Sequence, residues 1–300
     1  MPDLIARFEA DCQIRHIVST RTYLVYIRDF AGSLNGRDLS HPNRDDLKAY
    51  LEVLRARKLK HSSLERAFAG LVSFYDFLVA EEEIEANPIQ SFRRRYLKQY
   101  KEDNGHDARQ LISVEDAARL VSSTLKTEHR AILLLLLKTG MRAGELCSLD
   151  VSDVSLERGE VLLKPTAKRS NRLLFFDPET ARVLASWLDA RKHMSWAQHG
   201  ALFPSRQGER LTTKTLTWIV SGCAERVGLH DPESEKLEDK FTPHCARHWN
   251  GTHLLCAGMR REYVQWLRGD AIKEAVDIYF HVDPEDVRRA YLAHIPQLGI

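Results

Sequence analysis

The chain has 300 residues, of which 43% are hydrophobic and 29% charged, with a formal net charge of +2. That length supports two domains with their own cores, and the composition is that of an ordinary globular protein, which excludes a disordered or fibrous chain. So small a net charge does not argue for a polyanion partner, and any nucleic-acid function must be read from where the charges sit.

The opening "MPDLIARFEADCQ" lacks the apolar core of a secretory leader, so none is expected. From Arg21 to about Ala86 the pattern is helical: "TYLVYIRDFAGSL", "RDDLKAYLEVLRAR" and "SSLERAFAGLVSFYDFLVAEEEIEANP" each space apolar residues three and four apart. Ser62 with Glu65 predicts a capping box at the start of the third, and Asn87-Pro88 its end. The polar, basic stretch "FRRRYLKQYKEDNGHDARQ" reads as a linker. The expected division is therefore a helical domain over 1–92, a linker over 93–108 and a second domain over 109–300.

The second domain opens at "SVEDAARLVSS" with Ser113 as the N-cap. "AILLLLL", Ala131 to Leu137, is too short to span a membrane and reads as a buried helix. In "GEVLLKPTAKRSNRLLFFD", two β-prone runs, Glu160–Leu163 and Leu173–Phe176, flank a polar turn and predict a hairpin. The fold class expected is mainly α with a small β-hairpin or sheet. Five cysteines (Cys12, Cys147, Cys223, Cys245 and Cys256) form no CxxC pair and are odd in number, so reduced thiols in a cytoplasmic protein are expected. Cys147, Cys245 and Cys256 read as small core residues.

Two basic clusters mark the first block: Arg55, Arg57, Lys58 and Lys60, then Arg93, Arg94, Arg95 and Lys98. Either alone reads equally well as solvated surface. Both lie at element ends, where a chain can meet a phosphate backbone without burying charge, and together they are candidate DNA contacts.

In "KTGMRAGELCSLD", Gly140 breaks one helix and Arg142 starts the next, with Glu145 one turn on and able to orient the guanidinium. Alone, such a pair is usually a surface salt bridge. The stretch "TPHCARHWNGTHLL" adds weight. A helix starting near Pro243 sets His244 and Arg247 one turn apart at the positive end of its dipole, which favours an anion. His244 and His248 have the spacing of zinc ligands, but the residue before His248 is Arg247, where a hydrolytic zinc helix would carry a glutamate nearby, and a cation there repels a metal. Neither a metal nor an organic cofactor is expected. Arginine with histidine suits a phosphodiester, because guanidinium binds phosphate oxygens in pairs and stays charged. Trp249 and Trp266 read as packing, and His253 and His281 as structural.

Taken in order, "TGMRAGELCSLD", "HCARHWNGTHLLCAGM" and "VDIYFHV" resemble the three C-terminal signatures of the tyrosine recombinase, or phage-integrase, superfamily. The detailed resemblance covers about Arg109 to Val282; the first block is similar to the family's core-binding domain only in its helical pattern and "ANP" ending. The resemblance implies a two-domain, C-shaped DNA clamp. It makes Arg142 and Arg247 the catalytic arginines, Glu145 and His248 supporting residues, His244 a catalytic histidine and Tyr279 the nucleophile. The hairpin lysine falls on Lys168, with Lys164 the lesser possibility. The family's second histidine, sometimes a tryptophan, falls on Asp270, a carboxylate where a hydrogen-bond donor is expected, and the role favoured for it is to orient one of the catalytic arginines from behind.

The activity implied is site-specific recombination through a 3′-phosphotyrosine intermediate, serving integration, excision or resolution of multimers. The implied partner is double-stranded DNA bearing a specific site. The protein would be a tetramer on DNA and a monomer or dimer when free, with the helical tail "DPEDVRRAYLAHIPQLGI" docking on a neighbour. Two alternatives share the site: a type IB topoisomerase-like relaxing enzyme, and a DNA-binding relative weakened at Asp270.

Overall fold

A computed structural model of the chain describes residues 2–97, 109–165, 171–205, 207–269 and 282–300. The chain divides into two units, Met1–Asn104 and Gly105–Ile300. Helix dominates both, as the sequence led us to expect, and the strands among the described residues form one small three-stranded antiparallel sheet.

The first unit holds α1 (Pro2–Ile14), α2 (Thr20–Ser33), α3 (Arg44–Ala56), α4 (His61–Ala80) and α5 (Pro88–Tyr96). Helix α2 buries Leu24, Ile27 and Phe30 on one stripe against α4. The two backbones approach closely at Gly70, where a Cβ would stand 3.2 Å from the Tyr23 Cα. Aromatic rings fill the centre, with Phe8 edge-on to Phe74 at 5.4 Å and Phe30 against Tyr50 at 5.1 Å.

Three local expectations are corrected here. No capping box forms at Ser62: α4 starts at His61, with Lys60 at the N-cap position and no side chain capping there, and Glu65 instead accepts from Arg93 at 2.5 and 2.9 Å. The capping box of this unit joins Asn43 and Asp46 at the start of α3. Asn87-Pro88 does not stop α4, which ends at Ala80 before a left-handed Glu82 (φ 58°). Asn87 caps α5 instead, accepting from the Ile89 N–H at 2.8 Å, with Pro88 at a first-turn position where its missing N–H costs nothing. Helix α5 thus runs into the stretch expected as linker. Helix α1, held by buried Phe8 and Cys12, was not anticipated.

The second unit opens with α6 (Val114–Ser122), where Ser113 accepts from the Asp116 N–H at 2.9 Å as its N-cap. Helix α7 (Thr127–Thr139) is fully buried from Ala131 to Lys138 and packs between α9 (Pro178–Lys192) and α11 (Pro243–Cys256). Short α8 (Ala143–Ser148) leads into β1 (Val154–Ser155), β2 (Glu160–Leu162) and β3 (Leu173–Phe175). The predicted hairpin is β2–β3, with Val161 opposite Leu174; β1 adds an unexpected edge, with Val154 opposite Val161. Helices α10 (Thr213–Glu225), α12 (Arg261–Arg268) and α13 (Pro284–His294) are the other α-helices among the described residues of this unit.

The tail folds onto its own unit. Tyr291 is buried and donates to the Lys138 carbonyl at 2.9 Å, while the Leu298 and Ile300 N–H groups donate to Glu179 at 3.1 and 2.6 Å. Cys147 and Cys245 are buried as expected, but Cys256 is exposed at the end of α11.

Candidate active site

Helix α7 ends at Gly140, whose left-handed backbone (φ 61°) turns the chain and donates its N–H to the Leu136 carbonyl at 3.0 Å. Two residues on, Arg142 is the N-cap of α8. Its backbone N–H donates to Glu145 Oε2 at 2.7 Å, and its Nη1 donates to Oε1 at 3.1 Å. One buried carboxylate therefore closes the helix end and orients the guanidinium, as the sequence spacing suggested. The Arg142 side chain keeps 34% of its surface open to solvent.

Pro243 occupies the first turn of α11, again where the sequence put the helix start. His244 lies in that turn and Arg247 one turn further. Arg247 is almost enclosed, at 5% exposure. Its Nη1 donates to the Gly140 carbonyl at 2.7 Å and its Nη2 to the Arg268 carbonyl at 2.9 Å. A guanidinium carries five donors, and these two bonds fix its plane. The Gly140 bond also joins Arg247 to the turn that presents Arg142.

His244 opens to solvent, yet the atoms crowding its ring desolvate it enough to lower its pKa. Arg109, Arg247, Arg268 and His248 push the same way by their positive charge. The ring is thereby kept neutral, able to accept a proton. Arg268 lies over Gly251, where a Cβ would meet its Nη1 at 3.1 Å. His248 is half-buried on α11. Beneath these residues Trp249 is fully buried against His253 (4.7 Å), and His253 Nε2 lies 3.2 Å from the Ile112 carbonyl. Trp266 stacks on Phe175 at 6.1 Å. All three make packing contacts within this unit.

Arg142, Glu145, His244, Arg247 and His248 thus come from two segments that meet at the end of α7. Lys168, Asp270, Tyr279 and Lys98 lie outside the described residues, as does His281. Lys164 is engaged elsewhere: it pairs with Asp150, whose other oxygen accepts from Arg210 at 2.6 Å. Those two cations, Lys164 foremost, hold the Asp150 carboxyl below its ordinary pKa.

In the first unit the basic clusters are divided. Arg57 is clamped on Asp29 at 2.7 and 3.1 Å, and Arg93 on Glu65. Arg55, Lys58, Lys60, Arg94 and Arg95 are exposed, Lys58 on a left-handed turn (φ 55°). Sequence reading missed Arg109, whose charge acts on His244, and Asn250, a buried polar residue one turn beyond Arg247 on α11.

Residues 82–286 match the profile of the Phage integrase family, and residues 6–82 that of the phage integrase N-terminal SAM-like domain. The tyrosine recombinase XerC of Herpetosiphon aurantiacus is 30% identical over 271 residues, covering 89% of this chain and 84% of that protein. XerC of Bacillus subtilis is 28% identical, covering 84% of this chain and 81% of its own. Among solved structures, the Tn1549 transposon integrase in complex with transposon right end DNA superposes with a TM-score of 0.69 at 18% identity, covering 95% of this chain and 97% of that one. A lambda integrase dimer bound to a COC' core site gives 0.67 at 17% identity, covering 94% and 79%. At such identities the structural likeness speaks for the fold.

Proposed function

The chain belongs to the phage integrase family, and from that premise we propose how its residues break and rejoin DNA. It is a site-specific DNA recombinase of the tyrosine type, and DNA is its partner. The relatives carry the recombinase name, which gives no support to a strand-relaxing topoisomerase.

In this reading the Tyr279 hydroxyl attacks the scissile phosphorus. A phenol, with an ordinary pKa of about 10, is a poor nucleophile near neutrality, so its proton must be taken as it attacks and the phosphate charge must be met. Neutral His244 accepts that proton. Arg142 and Arg247 grip the non-bridging oxygens and stabilise the charge that builds on them. Lys168 protonates the departing 5′ oxygen. The product is a 3′-phosphotyrosyl linkage, and attack by a 5′-hydroxyl of another strand reverses the step, releasing the tyrosine with no energy input. Asp270 would support a catalytic arginine from behind. The exposed basic residues Arg55, Lys58, Lys60, Arg94 and Arg95 would meet phosphates flanking the site, with Arg57, Arg93 and Lys98 at the edges of the same clusters. Strand exchange between two duplexes calls for four subunits, so the working form would be a tetramer on paired sites and smaller when free. The compartment would be the one that holds the DNA, the cytoplasm.

The observation that carries this reading is the bond from Arg247 to the Gly140 carbonyl, which ties one arginine to the turn presenting the other. Arg247→Ala should therefore slow formation of the covalent adduct by on the order of a hundredfold or more, the scale for losing a preorganised charge donor. The substrate is a nicked duplex bearing the chain's own site, recovered by covalent capture from a randomised library. A loss below about threefold would remove Arg247 from the clamp.

The depressed pKa of His244 gives a second test. As the proton acceptor it must be neutral, so the acid limb of the cleavage rate should lie below about pH 6.5, the ordinary histidine value. In the same window the unfolded chain binds a proton that the folded ring refuses, so stability should also fall as the pH drops into it. A limb above the ordinary value, or one retained in His244→Gln, would assign the base elsewhere.

A further inference from the structure

The carbonyls in the last turn of a helix have no partner within it. At the end of α7 three of them are taken: Leu136 by the Gly140 N–H at 3.0 Å, and Leu137 and Lys138 by the Asn250 side chain, whose Nδ2 donates to both, at 2.9 and 2.7 Å. Asn250 is 2% exposed and lies on α11 three residues after Arg247, on the same face. Its Oδ1 fills the space beside Gly140, where a Cβ would stand only 2.7 Å away. The chain can pass only because residue 140 has no side chain. An asparagine in mid-helix is unfavourable unless its amide is satisfied, and here every hydrogen of that amide is spent on α7 rather than on its own helix.

We propose that Asn250 is a positioning residue for catalysis, setting the register between the two catalytic arginines. The proposal rests on the reading of Arg142 and Arg247 given above. Two bridges join α11 to the end of α7: Arg247 to the Gly140 carbonyl, and Asn250 to the carbonyls of the preceding turn. One bridge alone would let α11 pivot about the Gly140 contact. The second fixes its angle, and with it the distance from the Arg247 guanidinium to Arg142, two residues beyond Gly140. Asn250 touches no reacting atom and acts only through this geometry.

The test compares Asn250→Ala with the wild type in single-turnover adduct formation on the captured nicked duplex. It is repeated on the same duplex with a methylphosphonate at the scissile position. Replacing one non-bridging oxygen by methyl removes the phosphate charge, so a fault in the guanidinium clamp costs less there, whereas a fault in the fold, the nucleophile or the base costs the same on both. The expected loss is on the order of ten- to a hundredfold on the phosphodiester, the scale of an ångström-sized misplacement, with duplex affinity within about twofold. On the methylphosphonate the loss should shrink several-fold. Tyr291→Phe serves as control. It deletes the other donor to the Lys138 carbonyl and loosens the same helix end while leaving both bridges from α11 in place, and its ratio between the two substrates should match the wild type. If Asn250→Ala does not fold, Asn250→Ser, which fills more of the space and keeps a donor, takes its place. A folded variant that cleaves like the wild type, or loses equally on both substrates, overturns the proposal while the recombinase reading stands. Absence of any adduct with the wild type overturns both.

Discussion

Tyr279→Phe is expected to bind the recombination site as tightly as the wild type and to form no covalent protein–DNA adduct. The substitution deletes one oxygen, and that oxygen is both the attacking atom and the point of attachment, so no partial activity survives through the same intermediate. This differs in kind from the loss of a clamp arginine, which raises a barrier but leaves the nucleophile in place. The ring remains, so packing and duplex affinity should hardly change. The measurement is a denaturing gel of labelled nicked duplex after incubation with each protein, beside a filter-binding curve. A slow-migrating adduct persisting with Tyr279→Phe would exclude Tyr279 as nucleophile, and loss of binding together with cleavage would point to a structural tyrosine.

The parts of this molecule that were legible in the sequence are those written by local chemistry. Pro243 marked the start of α11 because proline suits a first turn, and Ser113 marked α6 because its hydroxyl caps an orphan N–H. Gly140 marked the break before Arg142 because the turn there is left-handed. The three family signatures then brought Arg142 and Arg247 to one place. What failed was decided by distant partners. Ser62 and Glu65 have capping-box spacing, but Glu65 finds a better partner in Arg93, a residue on another helix. Asn87-Pro88 fits the end of a helix or the start of one, and only the packing of α5 chooses. Asn250 carried no local signal because its partners lie on α7, far away in sequence.

Lys138 is the sharpest case. Nothing in "LLLLLKTG" marks its lysine for burial, because a cation in a last turn suits the helix dipole in solvent. Instead it is completely buried, with Nζ 2.6 Å from Asp177, 2.8 Å from Glu179 and 2.6 Å from the Pro296 carbonyl. The two carboxylates sit at the start of α9, Asp177 as its N-cap, where the helix dipole favours negative charge. Burial works to raise both carboxyl pKa values. The attraction of Lys138, with hydrogen bonds from Thr180 to Asp177 and from the Leu298 and Ile300 N–H groups to Glu179, outweighs it and holds both below their ordinary values. The cluster is thus charged, and through Pro296, Leu298 and Ile300 it fastens the tail to the core.

Lys138→Met should destabilise the second unit by about 3–5 kcal/mol, the scale for breaking a buried ion pair and stranding its partner charges. That is a large share of the 5–15 kcal/mol typical of a folded protein. The sign of the pH dependence separates this from simple loss of packing. In the wild type both carboxyl pKa values are lowered, so their contribution is fully present above the unfolded value of about 4 and is lost as pH falls through the folded values. Without the lysine, burial raises at least one carboxyl above its unfolded value, so the folded state takes up a proton that the unfolded chain has released. The variant should then grow more stable as pH falls from about 7 towards 5, where the wild type is nearly level. Urea denaturation of both proteins at several pH values reads this directly, and limited proteolysis shows whether the tail has come loose. A loss under about 1 kcal/mol, or a variant whose pH profile runs parallel to the wild type, would mean that the carboxylates find other compensation and that Lys138 is not what holds the tail in place.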